Sequence, residues 1–115
     1  MQYLLLLHAD EAAMQSSSKA ETEQRLAAYG AYIEAMKQAG VLRGGNRLRP
    51  TATATTVRVS NGKTTLLNGP YAETKEQLGG YFLIETADLD AALTWAARCP
   101  GASHGAIEVR PIWEM

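Results

Sequence analysis

Apolar residues follow three different rhythms along this chain. Tyr3 to Leu7 is an unbroken apolar run leading into His8, the pattern of a central strand covered on both faces. A polar tract ending in Ser16-Ser17-Ser18 reads as a surface loop. Beyond it Leu26, Tyr29, Ile33 and Met36 recur three and four residues apart and predict a helix. Ser18 and Glu21 have capping-box spacing at its start, and Gly40 supplies a left-handed exit.

From Val41 to about Arg49 the chain returns as a strand, with Gly44-Gly45 marking a bulge or bend and Pro50 ending it. Thr55 to Val59 alternates, Asn61-Gly62 has positive-φ turn chemistry, and Lys63 to Leu67 forms the second arm of a hairpin. Asn68-Gly69-Pro70 breaks that arm. Residues 71–80 read as an irregular or briefly helical loop ending in Gly79-Gly80, and Tyr81 to Ile84 as another apolar strand. A second helix is predicted from about Asp88 to Arg98, with Leu89, Leu93 and Ala96 on one stripe; Cys99-Pro100-Gly101 stops it. Trp95 lies off that stripe, which makes it a candidate interface residue, while Tyr29 and Tyr32 read as core or interface aromatics. Ile107 to Ile112 alternates again, and Pro111 calls for a free edge there.

The order strand, helix, strand, hairpin, strand, helix, strand is an α+β, ferredoxin-like split β-α-β pattern with an extra hairpin. Right-handed crossovers lay both helices on one face of the sheet and leave the other open. Yet the first strand is apolar on both sides, with Leu4, Leu6 and His8 pointing one way and Tyr3, Leu5 and Leu7 the other. A second subunit is the simplest cover, giving a homodimeric α/β-barrel assembly with room for a small-molecule pocket near the sheet edges.

With 115 residues and 46% hydrophobic positions, the chain fits a single domain spanning residues 1–115 whose core needs no disulfide or structural metal. Its one cysteine, Cys99, has no internal partner. The N-terminal apolar run is too short for a membrane span and lacks a signal-peptide flank, so the expectation is a cytoplasmic protein with no membrane partner. Charge is segregated. Residues 35–72 contain no acid but carry Lys37, Arg43, Arg47, Arg49, Arg58 and Lys63, between two net-acidic flanks. A basic segment can attract an anionic substrate or a phosphate backbone. The acidic flanks favour pairing with the same or a neighbouring subunit instead, and no nucleic-acid partner is expected.

His8 and Asp10 stand two apart at the end of the first strand, on one side if the extended conformation persists. A carboxylate beside an imidazole fixes its tautomer and suits it to general acid–base catalysis; the bland alternative is a structural histidine and a turn-forming aspartate. The stretch Asn68 to Gly80 gathers Tyr71, Glu73, Lys75 and Glu76 between a rigid turn and two glycines, a composition found in binding loops. Glu73 is a candidate base, Lys75 and Tyr71 candidate substrate contacts, and Arg110 on the last strand another. The alternative is a short helix over 72–78 with solvated charges. His104 precedes the last strand and reaches the first only if the sheet order brings those ends together. Two histidines this far apart with no cysteine cluster predict no metal site. The glycines lack phosphate-cradle spacing, and Cys99 has no activating partner, so neither a dinucleotide cofactor nor covalent catalysis is expected.

Asn68 to Tyr81, Trp95 to Pro100 and His104 to Ile112, together with the Tyr3 to Glu11 opening, strongly resemble the YCII-related proteins of the DGPF type. The resemblance implies a ferredoxin-like fold, a dimeric α/β barrel and a bacterial cytosolic setting. Many such proteins are encoded with, or fused to, extracytoplasmic-function sigma factors, and a related branch acts on chlorinated muconolactones. A His–Asp pair is the active site proposed for the wider superfamily, and His8 and Asp10 are the candidates here. Asn68 and Tyr71 replace the Asp and Phe of the name-giving motif; Asn68 keeps the turn chemistry without the carboxylate. The expected function is therefore cofactor-independent acid–base catalysis, an isomerisation or elimination on a small carboxylate- or lactone-type metabolite, carried by His8, Asp10, Glu73 and His104. The alternative is a non-catalytic small-molecule-binding or regulatory dimer associated with a sigma factor, and a purely structural dimer is the third reading.

Overall fold

The structure is a computed structural model and describes residues 1–114. In chain order the elements are β1 (Gln2–Ala9), α1 (Glu11–Gln15), α2 (Lys19–Gln38), β2 (Leu42–Arg47), β3 (Thr55–Ser60), β4 (Lys63–Asn68), β5 (Gln77–Glu85), α3 (Leu89–Arg98) and β6 (Ala106–Pro111), with single 3-10 turns at Thr51–Thr53 and Pro100–Ser103. Four strands form one antiparallel sheet in the order β2-β5-β1-β6, and β3-β4 stands apart as its own hairpin. Each β-α-β unit is split by a strand from the other, so the fold is ferredoxin-like with a hairpin inserted between β2 and β5.

The alternation along β1 sends Tyr3 and Leu5 into the core, where they meet Phe82 and Ile84 of β5, Tyr32 and Met36 of α2, Ala92 and Ala96 of α3, and Cys99. Both long helices therefore lie on one side of the sheet. Tyr32 is the hinge pin of this layer: its ring stands edge-on to Phe82 at 5.7 Å, and its hydroxyl donates to the Trp95 carbonyl at 2.8 Å. β6 is an edge strand, which accommodates Pro111. The hairpin turns at Asn61 (φ 52°) and Gly62 (φ 75°), and the Ser18–Glu21 capping box closes from both sides, with hydrogen bonds that hold the Glu21 carboxyl below its ordinary pKa. None of the helices is long and apolar enough to cross a membrane among the described residues.

Four local expectations are corrected. The core stripe of α2 runs through Tyr29, Tyr32, Ile33 and Met36, while Leu26 is 57% exposed. On α3 the leucines face out. Ala92 and Ala96 take the buried positions, and Trp95 packs partly buried against the core. The tract after β1 is not all loop, since Asp10 caps the short helix α1. Finally, Gly79-Gly80 do not end a loop. They lie inside β5, where a register shift between Leu7 and His8 bulges the ladder and Gly80 would bring a Cβ to 3.0 Å from the Asn46 carbonyl. A second bulge, at Leu42–Gly44, falls where Gly44-Gly45 announced one; Gly45 is needed there because a Cβ would meet the Phe82 ring at 2.7 Å.

Truncating Met36→Ala should cost about 2–5 kcal/mol and Leu26→Ala less than about 1 kcal/mol in urea denaturation. Equal costs would contradict the packing face assigned to α2.

Candidate functional site

The face of the sheet opposite the helices carries Leu4, Leu6 and His8 from β1. Strand register sets Leu83 and Tyr81 beside Leu4 and Leu6 on one flank, and Arg110 and Glu108 beside them on the other. The result is a half-buried apolar strip with a polar border. On the β2 side Asn46 donates to the Tyr81 hydroxyl at 2.9 Å. On the β6 side His8 Nε2 stands 3.5 Å from Glu108 Oε1, and Arg110 Nε stands 3.4 Å from Glu108 Oε2. Glu108 thus links an imidazole to a guanidinium.

The His8 contact is long, and no hydrogen bond closes on it. Nε2 is buried without a hydrogen-bond partner although the side chain as a whole is 30% exposed. Chemically, an imidazole whose Nε2 faces a carboxylate can pass a proton to or from a ligand through its other ring nitrogen.

Asp10 does something else. Its carboxylate accepts from the Ala13 amide at 3.2 Å as the cap of α1, so the two-residue spacing from His8 does not produce a contact between them. His104 is exposed at the end of the turn before β6, and the strand order does bring that end to β1: His8 pairs with Ala106, and Gly105 lies so close to the His8 carbonyl that no Cβ would fit. Tyr71 is exposed in the loop following β4, with the Arg58 guanidinium 5.4 Å from its ring centre; Glu73 and Lys75 are exposed further along. The loop is not helical. It is tied to the same sheet end through Gln77, whose side chain accepts from the Glu11 amide at 2.9 Å and donates to the Thr74 carbonyl at 2.6 Å.

Sequence reasoning overlooked two acids. Glu108 is the carboxylate that meets His8, and the alternation Ile107-Glu108-Val109-Arg110 already placed it with Arg110 on one face; only the β1–β6 register assigns that face to His8. Glu11 is the other: its carboxylate accepts from the Thr51 amide and hydroxyl, both at 2.8 Å, clamping the start of the hairpin segment to the end of β1. Two surface recesses, about 300 Å³ beside Met1, Pro111, Ile112, Trp113 and Glu114 and about 270 Å³ among Thr56, Arg58, Thr65, Leu66 and Leu67, lie away from His8. Among the described residues no three His, Cys, Asp or Glu side chains converge as a metal centre requires. Cys99 is buried, donates weakly to the Tyr29 hydroxyl at 3.8 Å, and has its thiol pKa pushed up by burial, which disfavours the thiolate.

A family model described as the YCII-related domain matches residues 1–115, and the chain belongs to that family. An uncharacterized protein of Rhizobium meliloti (strain 1021) is 42% identical over 114 residues, covering 97% of this chain and 92% of its own.

The Tyr29 and Tyr32 hydroxyls are both pushed well above the ordinary tyrosine value of 10.0, first by burial and then by the neighbouring Cys99. A folded-state pKa raised above the unfolded one gives stability that is complete below the unfolded value and is lost as pH rises past it. The urea midpoint should therefore fall between about pH 10 and about pH 11.5, and a Tyr29→Phe, Tyr32→Phe double variant should flatten that fall. An equally steep decline in the double variant would contradict the assignment.

Proposed function

We propose, from membership of the YCII-related family and from the His8–Glu108 pair at the border of the apolar strip, that this chain is a cofactor-independent acid–base enzyme acting on a small carboxylate- or lactone-type metabolite. His8 removes a proton from carbon next to the substrate carbonyl. It then returns the proton at another position in an isomerisation, or holds it while a leaving group departs in an elimination. Glu108 orients the ring. Arg110, 70% exposed at the side chain, is positioned to meet a substrate carboxylate from the same face. Asp10, His104 and the loop bearing Tyr71, Glu73 and Lys75 belong to the same end of the sheet, with Tyr71 and Lys75 as further substrate contacts and Glu73 and His104 as auxiliary proton-transfer groups.

The apolar strip Leu4, Leu6, Tyr81 and Leu83 supports a homodimer in which a second copy covers this face and encloses the chamber. Each large apolar side chain left in water forgoes roughly 1.5–3 kcal/mol. The setting is the bacterial cytoplasm. One observation favours a second reading: with Asp10 committed to a helix cap, His8 has no closed carboxylate hydrogen bond. That suits a small-molecule-binding or regulatory dimer, acting with an extracytoplasmic-function sigma factor, in which the pocket binds without turnover.

A thermal-shift screen of small carboxylates and lactones, followed by product analysis on the hits, separates the two readings. Catalysis predicts a product, and a folded His8→Gln variant with kcat/KM lowered about 10²–10⁴-fold; Glu108→Gln should lose less. Turnover at the parent rate in His8→Gln would overturn the enzyme reading, and stabilisation with no product over long incubation would establish binding in its place.

A further inference from the structure

The β3–β4 hairpin does not pack as part of its own molecule. It pairs only with itself, and it is a projecting arm of a slab 48 × 44 × 19 Å with a radius of gyration of 16.1 Å, against about 13 Å for a compact chain of this length. An isolated two-stranded hairpin is marginal in water and needs a hydrophobic neighbour. Its register supplies the surface for one. Val57 faces Leu66 and Val59 faces Thr64 across the ladder, so Val57, Val59 and Leu66 share one side; they are 57%, 67% and 69% exposed. Arg58 and Lys63 lie on the other side with Leu67.

The arm is held out rather than hinged. Gly69 N donates to the Ala54 carbonyl at 2.7 Å and the Thr56 hydroxyl to the Gly69 carbonyl at 2.9 Å, closing the root, while Glu11 clamps Thr51 to the sheet end. The arm carries two cations, Arg58, which lies 5.4 Å from the Tyr71 ring centre, and Lys63. Among the described residues none of Lys37, Arg43, Arg47, Arg49, Arg58 and Lys63 forms an ion pair with an acid of this chain, although the segments flanking this stretch are both net acidic.

We infer that the β3–β4 arm is an intersubunit clasp: its Val57–Val59–Leu66 face packs on a second copy of this chain, whose own arm packs back. This rests on the homodimer put forward above and assigns it a second contact surface. The area the arm offers favours another copy over an unrelated partner: a hairpin about 20 Å long and about 10 Å wide offers about 200 Å² of footprint, far below the roughly 800 Å² that each partner contributes to a stable interface. Two-fold symmetry doubles the arm contact and adds the uncovered sheet face.

Sedimentation equilibrium on the full chain tests this. The wild-type protein should be a dimer, and a Val57→Glu, Leu66→Glu double variant with unchanged far-ultraviolet circular dichroism should raise the dimer Kd about tenfold or more. Leu93→Glu, on the outward face of α3, should leave it within about twofold. A wild-type dimer whose Kd is unmoved in the double variant overturns the clasp while leaving the dimer intact. A wild-type monomer at about 100 μM, a concentration well above ordinary stable-dimer Kd values, overturns both and leaves the arm to a different protein. Should the double variant lose its β signal, replacement of residues 55–68 by a short Gly-Ser linker makes the same comparison without the hairpin.

Discussion

A sheet has two faces, and this chain has helices for only one of them. Everything else in the fold is arranged around that shortage. Tyr3, Leu5, Phe82 and Ile84 turn toward Tyr32, Met36, Ala92 and Ala96 and are sealed; Leu4, Leu6, Tyr81 and Leu83 turn the other way and are only half covered. An exposed face of an antiparallel sheet is ordinarily polar. Here its centre is apolar, and its polar groups, His8, Glu108, Arg110 and Asn46, are pushed to the border, where they face one another across strand boundaries.

That border explains how a site with little local signature is built. A histidine and an aspartate two residues apart share a side only while the chain remains extended, and at Asp10 it does not. The free amides at the start of α1 compete for the carboxylate and win it. The acid that His8 meets instead is 100 residues later in sequence, delivered by the pairing of β1 with β6. Glu11, the residue next to Asp10, contributes by a different route: it pins the hairpin segment to the end of β1 and thereby fixes the loop that carries Tyr71, Glu73 and Lys75 near the same end.

How far the sequence could be read follows from the range of the forces involved. The capping box of α2, the Asn61-Gly62 turn and the bulge near Gly44 are decided by neighbours within a few residues, and they were legible. So was the split β-α-β order, since strand and helix periods differ and crossovers have one hand. The choice of helix face was not. Leu26, Leu89 and Leu93 are strongly apolar, yet they are exposed while Ala92 and Ala96 take the buried positions of α3 and Tyr32 and Met36 those of α2. Gly79-Gly80 resemble a loop exit because glycine carries no inward or outward label; their role in a bulged strand depends on the carbonyl of Asn46 across the ladder. Glu108 was hidden for the same reason as the leucines were misassigned, since strand partners separated by most of the chain leave no local mark.

Hydroxyl-radical footprinting over a dilution series addresses the uncovered face most directly, because Leu4, Leu6, Tyr81 and Leu83 report it individually while Leu26 and Leu93 serve as exposed references. If a second copy shelters this face, the four residues are protected at high concentration and gain reactivity together on dilution, with Leu26 and Leu93 unchanged. Reactivity of the four that is high and independent of concentration would show an open face with no chamber, and would remove the basis for every role assigned to the groups along its border.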